Sequence, residues 1–493
     1  MRRFFQIALS LFVLLALAVP ALGETRALLI ACSDFITQPD LGSAISGNLH
    51  MIGSALLGAN PALSGLSIED GTIGTVSALS DAIDHAFHDA DEEDLSILYL
   101  CTHGVLSSAD DEEIYLLLGN GQEESPLSAD MLCAMLSPIG GEKLLILDAC
   151  HSGALIGRGM PEQLLLPGAQ MPPQMHTSPF LADTSIHVLT SASGSESSWY
   201  YDSEHLQSGA VSYFASALSS ALGLYGTAEA DLSGDGFVSL AELERHLNTA
   251  VPSSSCQLLS SRADSVLLPT AQGAMLSRPL SGFSYGASLL TADDPTLHFS
   301  FTVTSETAVQ YRLVEYENGA WNWAKAQTFM DQGEDAQRLS AGRHQRSLTL
   351  PTVKNTDSGY LMLQIFSVSD DELLLCSERL IAVQPEMNAP TLSIHAPARF
   401  TGAGVSELPI DVSLGAPAEI TVSIYDAQGG LIRRLASSRL SRPSKNHALH
   451  LYWDGRDAQG SLVPDGTYTL RAETHAGFSR VKATAQITVS SGG

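Results

Sequence analysis

Positive charge is scarce in this chain: 25 lysines and arginines stand against 54 aspartates and glutamates, a formal charge of -29 over 493 residues. No local basic patch offsets that balance, which excludes nucleic acid as a partner. Acidic runs such as Asp89 to Asp94 and Asp110 to Glu113 read as solvated loops. Cysteine is sparse too, and six without paired spacing make no disulfide framework. Cys32, Cys101 and Cys133 lie in apolar runs and read as small core residues, whereas Cys150 has polar neighbours. Long apolar runs are also missing. Ile7 to Val19 is short for a membrane span, and no later segment offers eighteen apolar residues in a row. With Arg2 and Arg3 before that run and Ala21, Leu22 and Gly23 after it, residues 1–23 read as a cleaved export signal, so the mature chain is expected to be secreted.

A chain of this length exceeds one core and suggests about three domains of roughly 150 residues. From Ala27, short apolar runs alternate with segments of helical period, the pattern of a mostly parallel sheet flanked by helices. Ala27 to Cys32, Ile97 to Cys101, Leu144 to Leu147 and Ile186 to Thr190 are the predicted strands. Helices are expected through Ile45 to Leu56, Ala78 to Phe87, Ser128 to Leu136 and Ala210 to Leu222. Past about Gly282 the helical period is lost and alternating segments take over, including Leu297 to Val303, Ala308 to Val314 and Leu361 to Val368. The expected architecture is an α/β domain over 24–278, then two all-β sandwiches over 279–387 and 388–493.

Ligands of open parallel sheets bind beyond the carboxyl ends of the strands, so the polar residues there are the first candidates for chemistry. One strand ends in Thr102, His103 and Gly104; another ends in Asp148, Ala149, Cys150 and His151. A thiolate attacks carbonyls where a thiol does not, and free cysteine titrates near about 8.5, so a nearby imidazole is what such a nucleophile needs. His103 can then protonate a leaving amine, while the amides of Cys150 and Gly104 face a developing oxyanion.

These residues carry a resemblance. The separation of 47 residues (150 - 103) is close to the roughly 50 of caspases, and Asp148 to Gly153, DACHSG, resembles the nucleophile motif of metacaspases. Over Ala27 to Pro269 the chain is similar to the caspase-like cysteine peptidases, the group that includes metacaspases, legumains, gingipains and clostripain. The resemblance implies a caspase-like fold and protein or peptide substrates, with His103 and Cys150 as dyad and His151 as a bystander. It also implies that Leu189 to Asp202, LTSASGSESSWYYD, lines the substrate pocket, with Asp148, Ser191, Glu196 and Asp202 as pocket residues. Between Glu24 and Met275 the only cations are Arg26, Arg158, Arg245, Arg262 and Lys143, so a basic residue before the scissile bond is expected over an acidic one. The first-helix acid of metacaspases is not matched, since Gly47 and Asn48 stand there, and a neutral preference such as asparagine stays open.

Three further features complete the reading. The stretch from Gly153 to Asp183 is broken by glycines and prolines, and cleavage after Arg158 is one reading of it. Asp231 to Glu242, DLSGDGFVSLAE, has the ligand spacing of an EF-hand. Asp231, Ser233, Asp235, Ser239 and Glu242 would offer side-chain oxygens to calcium, and Phe237 its carbonyl; an Asp-Gly turn capping a helix is the alternative. Asp357, Ser358, Gly359 and Tyr360 hint at an immunoglobulin-like corner. Trp453 to Tyr468, WDGRDAQGSLVPDGTY, resembles the immunoglobulin-like domain of flagellar hook-capping proteins, and Asn388 to Ser490 reads as a spacer, or as a module docking on a cell-envelope or protein partner. The function expected is thus a secreted bacterial cysteine endopeptidase. The alternative is an adhesion protein that keeps the peptidase fold as a scaffold.

Overall fold

The runs TRALLIA, LSILYLC, EKLLILD and IHVLT are apolar on both faces, so each needs cover above and below, and a sheet between two helix layers provides it. A computed structural model describes residues 23–42, 44–106, 114–158, 177–200, 211–291, 294–331, 338–350, 359–369, 372–384, 391–443, 448–476 and 479–490. The segments 1–22 and 159–176, and with them most of the export signal and of the proline-rich connection, lie outside it. No described helix is long and apolar enough to cross a membrane.

Strands β1 (Thr25–Ala31), β2 (Gly65–Asp70), β3 (Leu95–Cys101), β4 (Glu142–Asp148), β5 (Ile186–Thr190) and β6 (Gln257–Leu259) form one sheet in the order β6-β5-β4-β3-β1-β2. All neighbours are parallel except β6, which closes the edge antiparallel to β5. Helices α1 (Ala44–Leu57), α2 (Val76–Phe87), α3 (Ala129–Leu136), α4 (Tyr213–Ala221) and α5 (Leu240–Ala250) cover it. Alternation along β1 feeds both layers. Ala27 and Leu29 pack with Ile45 and Ile52 of α1 and Leu218 of α4, while Leu28 and Ile30 pack with Leu79 and Ile83 of α2 and Leu132 of α3. Thr75, Ser128 and Ser212 cap α2, α3 and α4 with their hydroxyls.

The predicted strands and helices exist within a few residues, but two sheet members were not foreseen. Strand β2 reads GLSIED, with only partial burial, and β6 has three residues, so neither makes an apolar run.

Beyond the α/β unit the chain is all β. In the middle unit the sheet containing Thr296–Val303 faces the sheet containing Ala308–Glu317, Tyr360–Ser369 and Glu372–Gln384 across a core of Phe299, Phe301, Leu313, Leu363 and Ile365. The C-terminal unit stacks Leu408–Leu414 and Leu449–Trp453 against Glu419–Tyr425 and Gly466–Ala476 around the fully buried Trp453. At the corner expected around Tyr360, the tyrosine hydroxyl pairs with Ser441 Oγ of the C-terminal unit at 2.7 Å. Asp357 and Ser358 lie outside the described residues.

The C-terminal unit is not a free spacer. It docks on its own α/β unit: Arg439 pairs with Glu244 at 3.1 Å, and Arg433 donates to the Ser260 carbonyl at 2.6 Å. Residues of the two units also line a shared cleft of about 490 Å³ that runs along this seam and not beside Cys150.

The middle unit meets α4 and α5 through Glu378, which lines a small cavity with Tyr213, Ser216 and His246. Burial pushes the Glu378 carboxyl up to about 7, with a hydrogen bond from Gln364 working the other way. His246 is pushed down by burial to about 3 and stays neutral over that range. A carboxyl whose folded pKa is raised binds its proton more tightly in the folded state. Its stabilisation is therefore complete below the unfolded value of 4.5 and is lost as pH rises to about 7. The penalty at pH 8 is on the order of 3 kcal/mol. Glu378→Gln is expected to raise the thermal midpoint at pH 8 and leave it nearly unchanged at pH 4; a variant no more stable than wild type at pH 8 contradicts this account.

Candidate active site

Register does most of the work of assembling the site. Strands β3 and β4 are paired with Cys101 opposite Asp148, so His103 and Cys150 each follow two residues beyond an aligned pair. The chain then brings their backbones together, while the Cys150 thiol lies 3.8 Å from the Ser198 carbonyl. A Cβ built on Gly104 would lie 1.7 Å from the Cys150 carbonyl oxygen, so the backbone after His103 rests directly on the backbone of Cys150. Only glycine permits that approach.

The imidazole is oriented from behind. His103 Nε2 lies 2.8 Å from the Pro39 carbonyl, which can only accept, so the proton sits on Nε2 and Nδ1 keeps the lone pair of a base. Phe35 packs against the ring with centroids 4.6 Å apart. The loop carrying Pro39 is held by Glu124, whose carboxylate accepts from Thr37 Oγ1 and from the amides of Ile36 at 2.7 Å and Thr37 at 3.0 Å. Against the upward push of burial, these bonds and the nearby His103 hold the Glu124 carboxyl below its ordinary value.

Cys150 sits on a tight turn between β4 and a 3₁₀ turn over Ser152–Ile156. His151 takes a left-handed conformation, φ 58°, uncommon for a side chain of its size and found where the chain holds a sharp corner. Its ring is turned toward the segment at 191–196, with Nδ1 3.0 Å from the Gly194 carbonyl, and its amide donates to Glu196 O at 2.9 Å. The amide on the other side, Ala149 N–H, donates to Ser191 Oγ at 3.2 Å. Among the described residues no acceptor takes the Cys150 N–H between them. An N–H so placed is able to donate to an oxyanion.

The four pocket candidates fare differently. Asp148 does not face an open pocket: it is wholly buried, accepts from Ser198 Oγ and Tyr99 OH at 2.9 Å each and Ser212 Oγ at 2.5 Å, and has Asn48 Nδ2 at 3.5 Å. Burial raises its carboxyl above the ordinary value, although the hydroxyls of Ser212, Ser198 and Tyr99 oppose this. Ser191 is likewise buried and serves as a strut for Ala149. Glu196 is spent on the amides of Ser193 at 3.2 Å and Ser255 at 2.7 Å and on Ser255 Oγ at 3.0 Å. Asp202 lies outside the described residues. These are framework positions because a strand end packed under two helices leaves its polar groups no water, and each must find a protein partner.

Sequence reasoning missed Pro39, Tyr99 and Tyr200, and it met Asn48 only as a mismatch. Asn48 bridges Asp148 and the Ser212 amide, accepting from the latter at 2.8 Å. Tyr200 covers the same cluster, its hydroxyl 3.5 Å from Cys101 Sγ. A polar side chain within a buried run, as Tyr99 is in LSILYLC, was the available signal.

In the loop read as a calcium site, Asp231 accepts from the amides of Gly234 at 2.7 Å, Asp235 at 3.2 Å and Gly236 at 3.0 Å. Glu242 accepts from the Ser233 amide at 2.9 Å and completes a capping box with Ser239. Asp235 accepts from the Phe237 amide at 2.9 Å. The loop is thus closed by its own hydrogen bonds, and among the described residues no group of three or more His, Cys, Asp or Glu side chains is arranged to hold a metal.

Comparison with known proteins adds the following. Residues 1–170 match the CHAT domain. That domain is of caspase-like cysteine peptidase type, and the matched span holds both His103 and Cys150. Residues 398–477 match the FlgD Ig-like domain. A crystal structure of FlgD from P. aeruginosa is 20% identical over 17% of this chain and 61% of that one, with a TM-score of 0.14, too low to carry any argument. No curated protein matches. The chain is multidomain and mostly β, its first part similar to the CHAT domain and its last to the FlgD Ig-like domain.

Proposed function

We propose that this protein is an exported caspase-like cysteine endopeptidase in which Cys150 attacks the scissile carbonyl and His103 moves the proton. The observation that carries this reading is the direct contact of Gly104 with the Cys150 backbone, together with an imidazole whose Nε2 is fixed by Pro39. In the proposed cycle Nδ1 takes the thiol proton, the thiolate adds to the carbonyl carbon, and the Cys150 amide holds the oxyanion. The imidazolium then returns the proton to the leaving amine, and water enters to release the acyl group from sulfur.

A basic residue before the scissile bond is part of the proposal. It rests on the scarcity of cations in residues 24–275, since Asp148 itself is enclosed by Tyr99, Ser198 and Ser212. A positional peptide library tested on wild type and Cys150→Ala gives activity and preference together. Equal turnover in both would overturn the peptidase reading, and a preference for asparagine would overturn the basic one.

Calcium at residues 231–242 is proposed separately from the chemistry. An ion would have to displace the Ser233 amide from Glu242, so a weak site, about 10⁻⁴ to 10⁻³ M, is expected. Calorimetric titration checks this, and absence of heat at millimolar calcium retires it. Secretion, and recognition of the cell envelope by the β units, remain proposals on the same footing.

A further inference from the structure

We propose that the C-terminal β unit is a working part of the active site, with Glu407 and Arg442 as positioning residues that hold the two loops flanking Cys150. This rests on the peptidase reading for its kinetic consequence but not for its structural content.

Two connections, independent of each other, lead from that unit to the nucleophile. The first is through Arg158, at the end of the turn that begins at Cys150. Its Nε donates to Glu407 Oε2 at 3.1 Å and its Nη2 to Glu407 Oε1 at 2.7 Å, both residues being buried. Nη1 donates to the Leu258 carbonyl, and the guanidinium lies 4.7 Å from the Tyr452 ring centroid. Its backbone closes the turn, the amide donating to Gly153 O at 2.9 Å and the carbonyl accepting from Gly194 N at 3.1 Å. The Arg158 side chain is thus enclosed, and the connection that follows it lies outside the described residues.

The second connection starts at Arg442. It donates to the carbonyls of Asn248, Val251, Pro252 and Ser254 and to Asn248 Oδ1, tying the end of α5 to the loop that follows. That loop holds the strand-end segment 191–196: Ser254 Oγ donates to Ser191 O at 2.8 Å, and Ser255 donates twice to Glu196. Segment 191–196 in turn holds both neighbours of Cys150, Ala149 through Ser191 Oγ and His151 through Glu196 O. Bidentate and multiply bonded arginines of this kind fix geometry as well as adding energy. Nucleophilic catalysis is sensitive to such placement, a 1 Å error costing about a hundredfold.

The test uses the full chain with Glu407→Gln, Arg442→Met and the reversed pair Arg158→Glu/Glu407→Arg. Hydrogen exchange is expected to rise about tenfold in 149–158 and 191–196 in the two single variants, with β1 and the middle-unit strands unchanged. On a cleaved peptide, kcat is expected to fall by about ten- to a hundredfold with KM within about twofold in both single variants, and the reversed pair, which also loses the Arg158 bond to the Leu258 carbonyl, is expected to recover only part of the Glu407→Gln loss. Exchange that is unchanged in those segments, or that rises equally throughout the chain, overturns the proposal. If wild type cleaves no peptide the enzymatic reading falls, and the exchange pattern still decides whether the clamp exists.

Discussion

Cys150→Ala is expected to remove peptide turnover by a factor on the order of 10⁴ or more, with His103→Ala falling nearly as far. The thiol supplies the bond-forming atom, so no neighbour replaces it. His103 is needed for a different reason: with Nε2 given to Pro39 O, Nδ1 is the ring position that can take and return a proton. If the two act as the proposed dyad, the double variant is expected to be no worse than the worse single one. Turnover of a peptide pool checks this, with alkylation of Cys150 by iodoacetamide as a second readout in His103→Ala. Multiplying losses in the double variant would mean that the two residues act independently and are not a dyad.

Gly104→Ala is the second large effect. Real Cβ atoms do not approach within 3.0 Å of another heavy atom, and here the built atom would stand 1.7 Å from the Cys150 carbonyl oxygen and 2.9 Å from its carbon. Both partners are backbone at strand ends, so neither can rotate aside, and the nucleophile itself must move. A loss of about a hundredfold in kcat is expected, with destabilisation of about 2 to 3 kcal/mol by overpacking. Gly53→Ala in α1 is the matched control. Its Cβ would meet Leu29, Ile68 and Leu66 at 3.5, 3.6 and 3.9 Å, ordinary contacts, and within a helix the change is expected to stabilise by about 0.5 to 1 kcal/mol. Equal effects at both positions would show that the approach at Gly104 is unimportant. Kinetics and denaturant midpoints of the two variants decide.

How far this site was legible in the sequence follows from the range of the interactions involved. An apolar run that stops at His103-Gly104 and another that stops at Asp148-Ala-Cys150 are local patterns, and parallel pairing makes their ends neighbours. What Asp148 does there was not local. Its partners Asn48, Tyr99, Ser198 and Ser212 come from four segments, and nothing near residue 148 says that the carboxylate is enclosed and not presented. The loop at Asp231 shows the reverse problem. The oxygens spaced to hold calcium are the same ones that make an Asx turn and a capping box, so one pattern serves two structures. Docking of the last unit had no sequence signal at all, since Arg158 and Glu407 are 249 residues apart and each looks like an ordinary surface charge.

That distance has a consequence in time. Synthesis runs from the amino terminus, and domains fold as they emerge. Cys150 and His103 are made well before Glu407 and Arg442, which follow more than two hundred residues later. A polypeptide that stops before Glu407 would therefore carry Cys150 and His103 without either of these anchors.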